Sequence, residues 1–145
     1  MDRRGFSLIE LLIVVVLIGA LASFGIPRIR RGMEASRVSG ARIAITTMNA
    51  KAKALAVQRS RVVQLILAGN EVRLESRHPV TGVMSVVDRR DLNAMYGVTV
   101  GSTRDTLLYD PRGLGLQNSA TTIAVSRPGG FADTVVIMSL GGIQR

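Results

Sequence analysis

The sequence predicts an α+β protein in which one long N-terminal helix, transmembrane in its first half, packs on an antiparallel β-sheet or β-sandwich domain. Three observations predict it. No ionisable side chain occurs between Leu11 and Ile26. Val38, Ala41, Ile45, Met48, Ala52 and Leu55 follow one another at alternating steps of three and four residues, which is one stripe of a helix. Beyond Ser60 the texture changes to short apolar runs separated by turn-forming residues.

The apolar stretch comes first. From Phe6 to Ile26 it runs for about 20 residues, and at ~1.5 Å rise per residue that crosses a hydrocarbon core of roughly 30 Å. Arg3 and Arg4 precede it. On these residues alone three readings stay open: a secretory signal peptide cut beyond Ala20-Leu21-Ala22, an uncut signal anchor, or a membrane helix with a further role. Glu10 bears on the choice, because a carboxylate at the bilayer centre costs about 2.5–3.5 kcal/mol even on lenient scales and such groups usually have partners. Glu10 is either an interfacial group without a role or one that meets a partner.

Arg4-Gly5-Phe6-Ser7-Leu8-Ile9-Glu10-Leu11-Leu12, followed by the aliphatic run and Pro27, resembles the N-terminal signature of type IV prepilins and type II secretion pseudopilins. The resemblance implies that residues 1–5 are a leader, removed by a prepilin peptidase that cuts between Gly5 and Phe6 on the cytoplasmic side. It implies N-methylation of Phe6, a transmembrane and assembly helix over residues 6–27, and a meeting of Glu10 with the N-terminal amine of a neighbouring subunit. Opposite charges in a low-dielectric bundle attract strongly, and each satisfies the other. It also implies a single-pass protein of the bacterial inner membrane with its C-terminal domain in the periplasm. A bare count of cations points the other way, since Arg28, Arg30 and Arg31 follow the span.

Pro27 lacks a backbone donor and is expected to kink or loosen the helix, with Gly19, Gly25 and Gly32 weakening it further. Residues 28–60 are expected to form the amphipathic second half, its apolar stripe packed on the globular part and Arg42 and Lys53 turned toward the opposite face. The formal net charge of +9 is concentrated here: residues 28–61 hold nine Arg or Lys against the single acid Glu34, whereas residues 62–145 hold eight Arg against seven acids. A basic run of this kind suits a solvated helix face and anionic headgroups.

Residues 61–145 are expected to form the β-rich domain, with six or seven short strands that include 62–67, 72–75, 83–87, 106–109, 121–126 and 134–139. Gly69-Asn70, His78-Pro79, Asp110-Pro111-Arg112-Gly113, Pro128-Gly129-Gly130 and Gly141-Gly142 punctuate them. From Leu107 onward the Asp110–Gly113 turn, the two apolar runs after it and Gly141-Gly142-Ile143 resemble, more loosely, GspH/FimT-type minor pseudopilins. The chain has no cysteine, so it departs from the many major pilins with a C-terminal cysteine pair, and disulfides and thiolate metal sites are excluded.

Catalytic chemistry finds no foothold. His78 is the lone histidine and precedes a proline, which places it in a loop. Glu71, Arg73 and Glu75 alternate as on the outer face of a strand. Gly113-Leu114-Gly115-Leu116 opens like a dinucleotide loop but has no third glycine at the required spacing. No metal, cofactor or enzymatic activity is expected. The resemblance implies a structural subunit, a minor pilin or pseudopilin of a type IV pilus-like or type II secretion filament, partnered by other subunits, the prepilin peptidase and the inner membrane. The alternative is a DNA-binding minor pilin of a DNA-uptake system, with Arg28, Arg30, Arg31, Arg42, Lys53 and Arg145 as contacts to DNA or lipid. Competence-linked members tend to carry a Gly-Arg-x-Arg-like tail, whereas this chain ends Gly141-Gly142-Ile143-Gln144-Arg145.

Overall fold

A computed structural model describes residues 7–78 and 80–144, without the side-chain surroundings of residues 24, 25 and 27. Gly5, Phe6 and Arg145 lie outside the described residues. The chain divides into two compact units, Met1–Glu34 and Ala35–Arg145, which share the long helix α1 (Leu8–Arg59).

In the first unit the apolar stretch of α1 has no buried residue, and Leu8, Ile9 and Leu21 are among its most exposed side chains. A run of Leu, Ile and Val with no neighbour is stable in water only at great cost, so this surface asks for a lipid or protein environment. The hydroxyl of Ser23 donates to the carbonyl of Gly19 at 2.9 Å, as a polar group on an apolar helix should. The helix is assigned without a break through Pro27, whose ring denies the carbonyl of Ser23 its usual donor.

In the second unit the six residues of the expected stripe are all buried, joined by Ala44, Asn49 and Ala56. The helix ends where Ser60 turns to φ 50°, the amide of Arg61 donates to the carbonyl of Ala56 and that of Ser60 to Val57, which is a Schellman closure built on serine.

Eight strands follow: β1 (Val63–Ala68), β2 (Glu71–Arg77), β3 (Met84–Asp91), β4 (Thr99–Ser102), β5 (Thr106–Tyr109), β6 (Thr121–Arg127), β7 (Phe131–Ile137) and β8 (Ile143–Gln144). They form two four-stranded antiparallel sheets in the orders β3-β2-β1-β5 and β4-β6-β7-β8. Alternation sends Val63, Leu65 and Leu67 of β1, Val72 and Leu74 of β2, and Ile123 and Val125 of β6 into the same core as the helix stripe. This is the α+β architecture that the sequence predicts.

Three elements lie outside the expected set. A short helix α2 (Leu92–Tyr96) follows β3, capped by the Asp91 carboxylate on the amide of Ala94 at 2.9 Å and stopped by Gly97 at φ 65°. Strands β4 and β8 are the other two. The last long strand begins at Phe131, earlier than the expected 134, and ends at Ile137 rather than 139. Its outer half carries Ala132 and Asp133, which mask its apolar signal.

Between Leu74 and Glu75 the β2–β3 register shifts, so that Val87 is an extra residue on β3. The phase of α1 is directly testable on residues 35–145. Ile45→Ala, at a fully buried site, should lower stability by about 2–5 kcal/mol, whereas Ile43→Ala, one helical face away and exposed, should change it by less than about 0.5 kcal/mol. Urea unfolding followed by circular dichroism reads both.

Candidate functional site

Glu10 sits in the first turn of α1, exposed, with the amide of Leu11 bonded to the carbonyl of Ser7 at 3.2 Å. An acid in the first turn is favoured by the partial positive charge of the helix start. It is the only ionisable side chain from Ser7 to Ile26, and the neighbouring Ile9, Leu11, Leu12 and Ile13 are all exposed around it. The helix thus presents one anionic group on an otherwise apolar rod.

The basic residues divide into three groups. Arg28, Arg30 and Arg31 are exposed in the first unit. Arg42 and Lys53 are not turned to the opposite face as the sequence reading placed them. The Nε of Arg42 pairs with Asp133 of β7 at 3.2 Å, and the Lys53 side chain lies against the turns at Gly113 and Gly141. Strands reach α1 on both flanks of the stripe, so the covered arc is wider than six apolar positions. Lys51, paired with Asp88 of β3 at 2.6 Å, marks the other flank.

The third group was not singled out by sequence. Arg59 in the last turn of α1, Arg61 just beyond the Schellman closure and Arg77 at the end of β2 line one groove with His78, Ser85, Val86 and Val87, a volume of about 610 Å³. The β1–β2 hairpin brings them together, because Val63 pairs with Ser76 and the residues flanking that pair share one end of the sheet. His78 is the loop residue expected. Its Nδ1 accepts from the amides of Val80 and Thr81, both at 3.3 Å. On the outer face of β2, Glu71 pairs with Arg73 at 3.2 Å and with Arg89 of β3 at 2.6 Å, an ion ladder in place of an acid pair.

The loop after β5 is held from within. One Asp110 oxygen accepts from the amides of Leu114 at 2.8 Å and Arg112 at 2.9 Å, and the other pairs with the Arg112 guanidinium at 2.9 Å. The Leu114 amide, then Arg112, hold the carboxyl below the usual aspartate value. Gly115 bridges to Tyr109 and has backbone of Ser139 and Gly141 where a Cβ would go, so Gly113–Leu116 is a packed turn with no room for a phosphate. Beneath it the buried Tyr109 hydroxyl donates to Asn49 Oδ1, and Asn49 Nδ2 donates to the carbonyl of Gly141 at 3.4 Å. Burial pushes the Tyr109 phenol well above its ordinary value.

Residues 1–26 match the family described as the prokaryotic N-terminal methylation motif. Two crystal structures of the type IV minor pilin FimU from Pseudomonas aeruginosa resemble the chain at 16% identity. One, in space group P21, has a TM-score of 0.60 over 75% of this chain and 87% of that one; the other, in P65, has 0.59 over 74% and 90%. The chain carries the prepilin-like methylation motif and has the pilin fold. No curated protein matches the sequence. Within this pilin-like chain, α1 is the one described helix long and apolar enough to cross a membrane.

Because the folded Asp110 carboxyl titrates below its unfolded value, its contribution to stability is present above about pH 4 and is lost as pH falls through the lower folded value. Asp110→Asn should therefore lower the urea midpoint of residues 35–145 at pH 7 and flatten its fall between pH 5 and pH 2. Midpoints measured across that range for both proteins check this.

Proposed function

We propose that this chain is a structural subunit, a minor pilin or pseudopilin, that assembles through its N-terminal helix into a type IV pilus-like or type II secretion filament and serves pilus biogenesis or protein export. The leader 1–5 is removed between Gly5 and Phe6 by a prepilin peptidase, Phe6 is N-methylated, and the protein waits as a single-pass subunit of the bacterial inner membrane with its β unit in the periplasm. The observation that carries the reading is Glu10, one carboxylate on a bare apolar helix, lying within the methylation motif and joined to a separate unit with the pilin fold. The amine of a neighbouring subunit's Phe6 is its natural counterion. At ~4 Å and an effective dielectric constant of about 20 such a pair is attracted by about 4 kcal/mol. The minor character draws on the likeness to a minor pilin and on the missing cysteine pair.

The DNA-uptake alternative loses ground on its own residues. Arg42 is paired with Asp133, and Lys53 is packed against two glycine turns. Arg28, Arg30 and Arg31 adjoin the apolar stretch, where anionic headgroups compete for them.

In cells with an active prepilin peptidase, mass spectrometry of the membrane form should find a chain that starts at a methylated Phe6, and Gly5→Val should leave the first five residues attached. Glu10→Val should be processed and inserted normally yet be absent from sheared filaments. A Glu10→Val protein recovered in filaments at the normal level would sink the assembly role of this residue.

A further inference from the structure

The groove at the end of the first sheet is the least explained feature of the molecule. Three arginines line it from three chain positions, Arg59, Arg61 and Arg77. Elsewhere in the second unit five cations are matched with acids, Arg42 with Asp133, Lys51 with Asp88, Arg73 and Arg89 with Glu71, and Arg112 with Asp110, and among the described residues no other groove gathers three arginines. Among the described residues no carboxylate pairs with Arg59, Arg61 or Arg77. Glu75 is the nearest acid along β2, two residues before Arg77, and it forms no ion pair with it. The negative end of α1 accounts for Arg59 in its last turn. It does not account for Arg61 and Arg77, which add two like charges to the same lining.

Such a cluster is an anion site, and its lining says what kind of anion. Its lining includes Val86 and Val87, and Val86 is 53% exposed, so an aliphatic surface lies beside the arginines. The one aromatic ring in the lining is that of His78, whose Nδ1 is held by the amides of Val80 and Thr81, and no Phe, Tyr or Trp stands beside it, so successive bases of a single strand find no run of stacking platforms. It is a recess, whereas duplex DNA is entered by a protruding helix or ribbon. Guanidinium forks suit carboxylates as well as phosphates. A ligand that offers carboxylates and aliphatic side chains together is a polypeptide.

A second copy of this chain is a poor source of such a segment: the two acids with aliphatic residues and no arginine between them, Asp105 and Asp110, flank β5, where Leu107 is buried and Asp110 is paired with Arg112. Its acids are scattered, and the two closest pairs, Glu71 with Glu75 and Asp88 with Asp91, have arginines between them. We infer that the groove binds an acidic segment of a different protein, with carboxylates on Arg59, Arg61 and Arg77 and aliphatic side chains on Val86 and Val87. This interaction stands independently of the filament reading, because it uses none of the N-terminal residues.

The test uses the full-length protein in non-ionic detergent micelles and fluorescence anisotropy of a short labelled peptide of alternating Glu and Val. Saturable binding is expected, weakened by salt, with a Lys-Val peptide of the same length not binding. Arg61→Gln with Arg77→Gln should weaken it roughly tenfold or more, and Val86→Ser severalfold. Charge reversal, Arg61→Glu with Arg77→Glu, should transfer binding to the Lys-Val peptide. On the unaltered protein a spin-labelled Glu-Val peptide should broaden the amide signals of Ser85, Val86 and Val87, which keeps the question answerable if a variant fails to fold. No saturable binding at low salt, unchanged affinity in the double variant, or unaffected signals at Ser85–Val87 would each overturn the inference. So would a single-stranded oligonucleotide that binds more tightly through the same arginines.

Discussion

The second half of α1 must be covered on one arc, from Val38 to Ala56, and most of the globular unit is arranged to cover it. Both sheets contribute to that cover: β1, β2 and β5 from one, β6 and β7 from the other. Polar contacts then fix the rotation of the helix against them. Lys51 reaches β3, Arg42 reaches β7, and Asn49 between them meets Tyr109 of β5 and the turn at Gly141. Apolar burial is nondirectional, so it supplies the driving force without setting the angle. The three polar anchors supply the angle.

The same helix has an opposite requirement in its first half. Among the described residues, Leu8 to Leu21 find no cover within their own unit, and Glu10 is in no ion pair. One continuous element therefore carries a surface satisfied within its own chain and another that is not. The assembly role proposed above would draw on that division of labour.

Much of this was legible in the residues. The stripe at three- and four-residue steps marked the covered arc, and Gly-Asn, Asp-Pro-Arg-Gly and Pro-Gly-Gly marked the turns. What was missed has physical reasons. Helix α2 is five residues long, too short to show a period, although Asp91 and Gly97 stand at its cap positions. Strand β4 contains Gly101 and has only Val98 and Val100 near it as buried anchors. Arg42 and Lys53 were misplaced because an apolar stripe reports only apolar neighbours, while a cation is drawn to the helix flank by an acid or by a glycine turn far along the chain. The groove arginines could have been found from the hairpin. A turn at Gly69-Asn70 pairs residue 63 with residue 76 and so gathers Arg61 and Arg77 at one end.

The extra residue on β3 has a consequence of its own. Among the described residues this strand is paired on one side only, and an open edge of that kind is a template for amyloid-like stacking when many copies are crowded together. The irregularity at Val87 breaks the even spacing of amides that such stacking needs, and Arg90 adds a charge to the edge just beyond it. Lateral stacking through this sheet edge is thereby discouraged, whatever concentration of copies surrounds it.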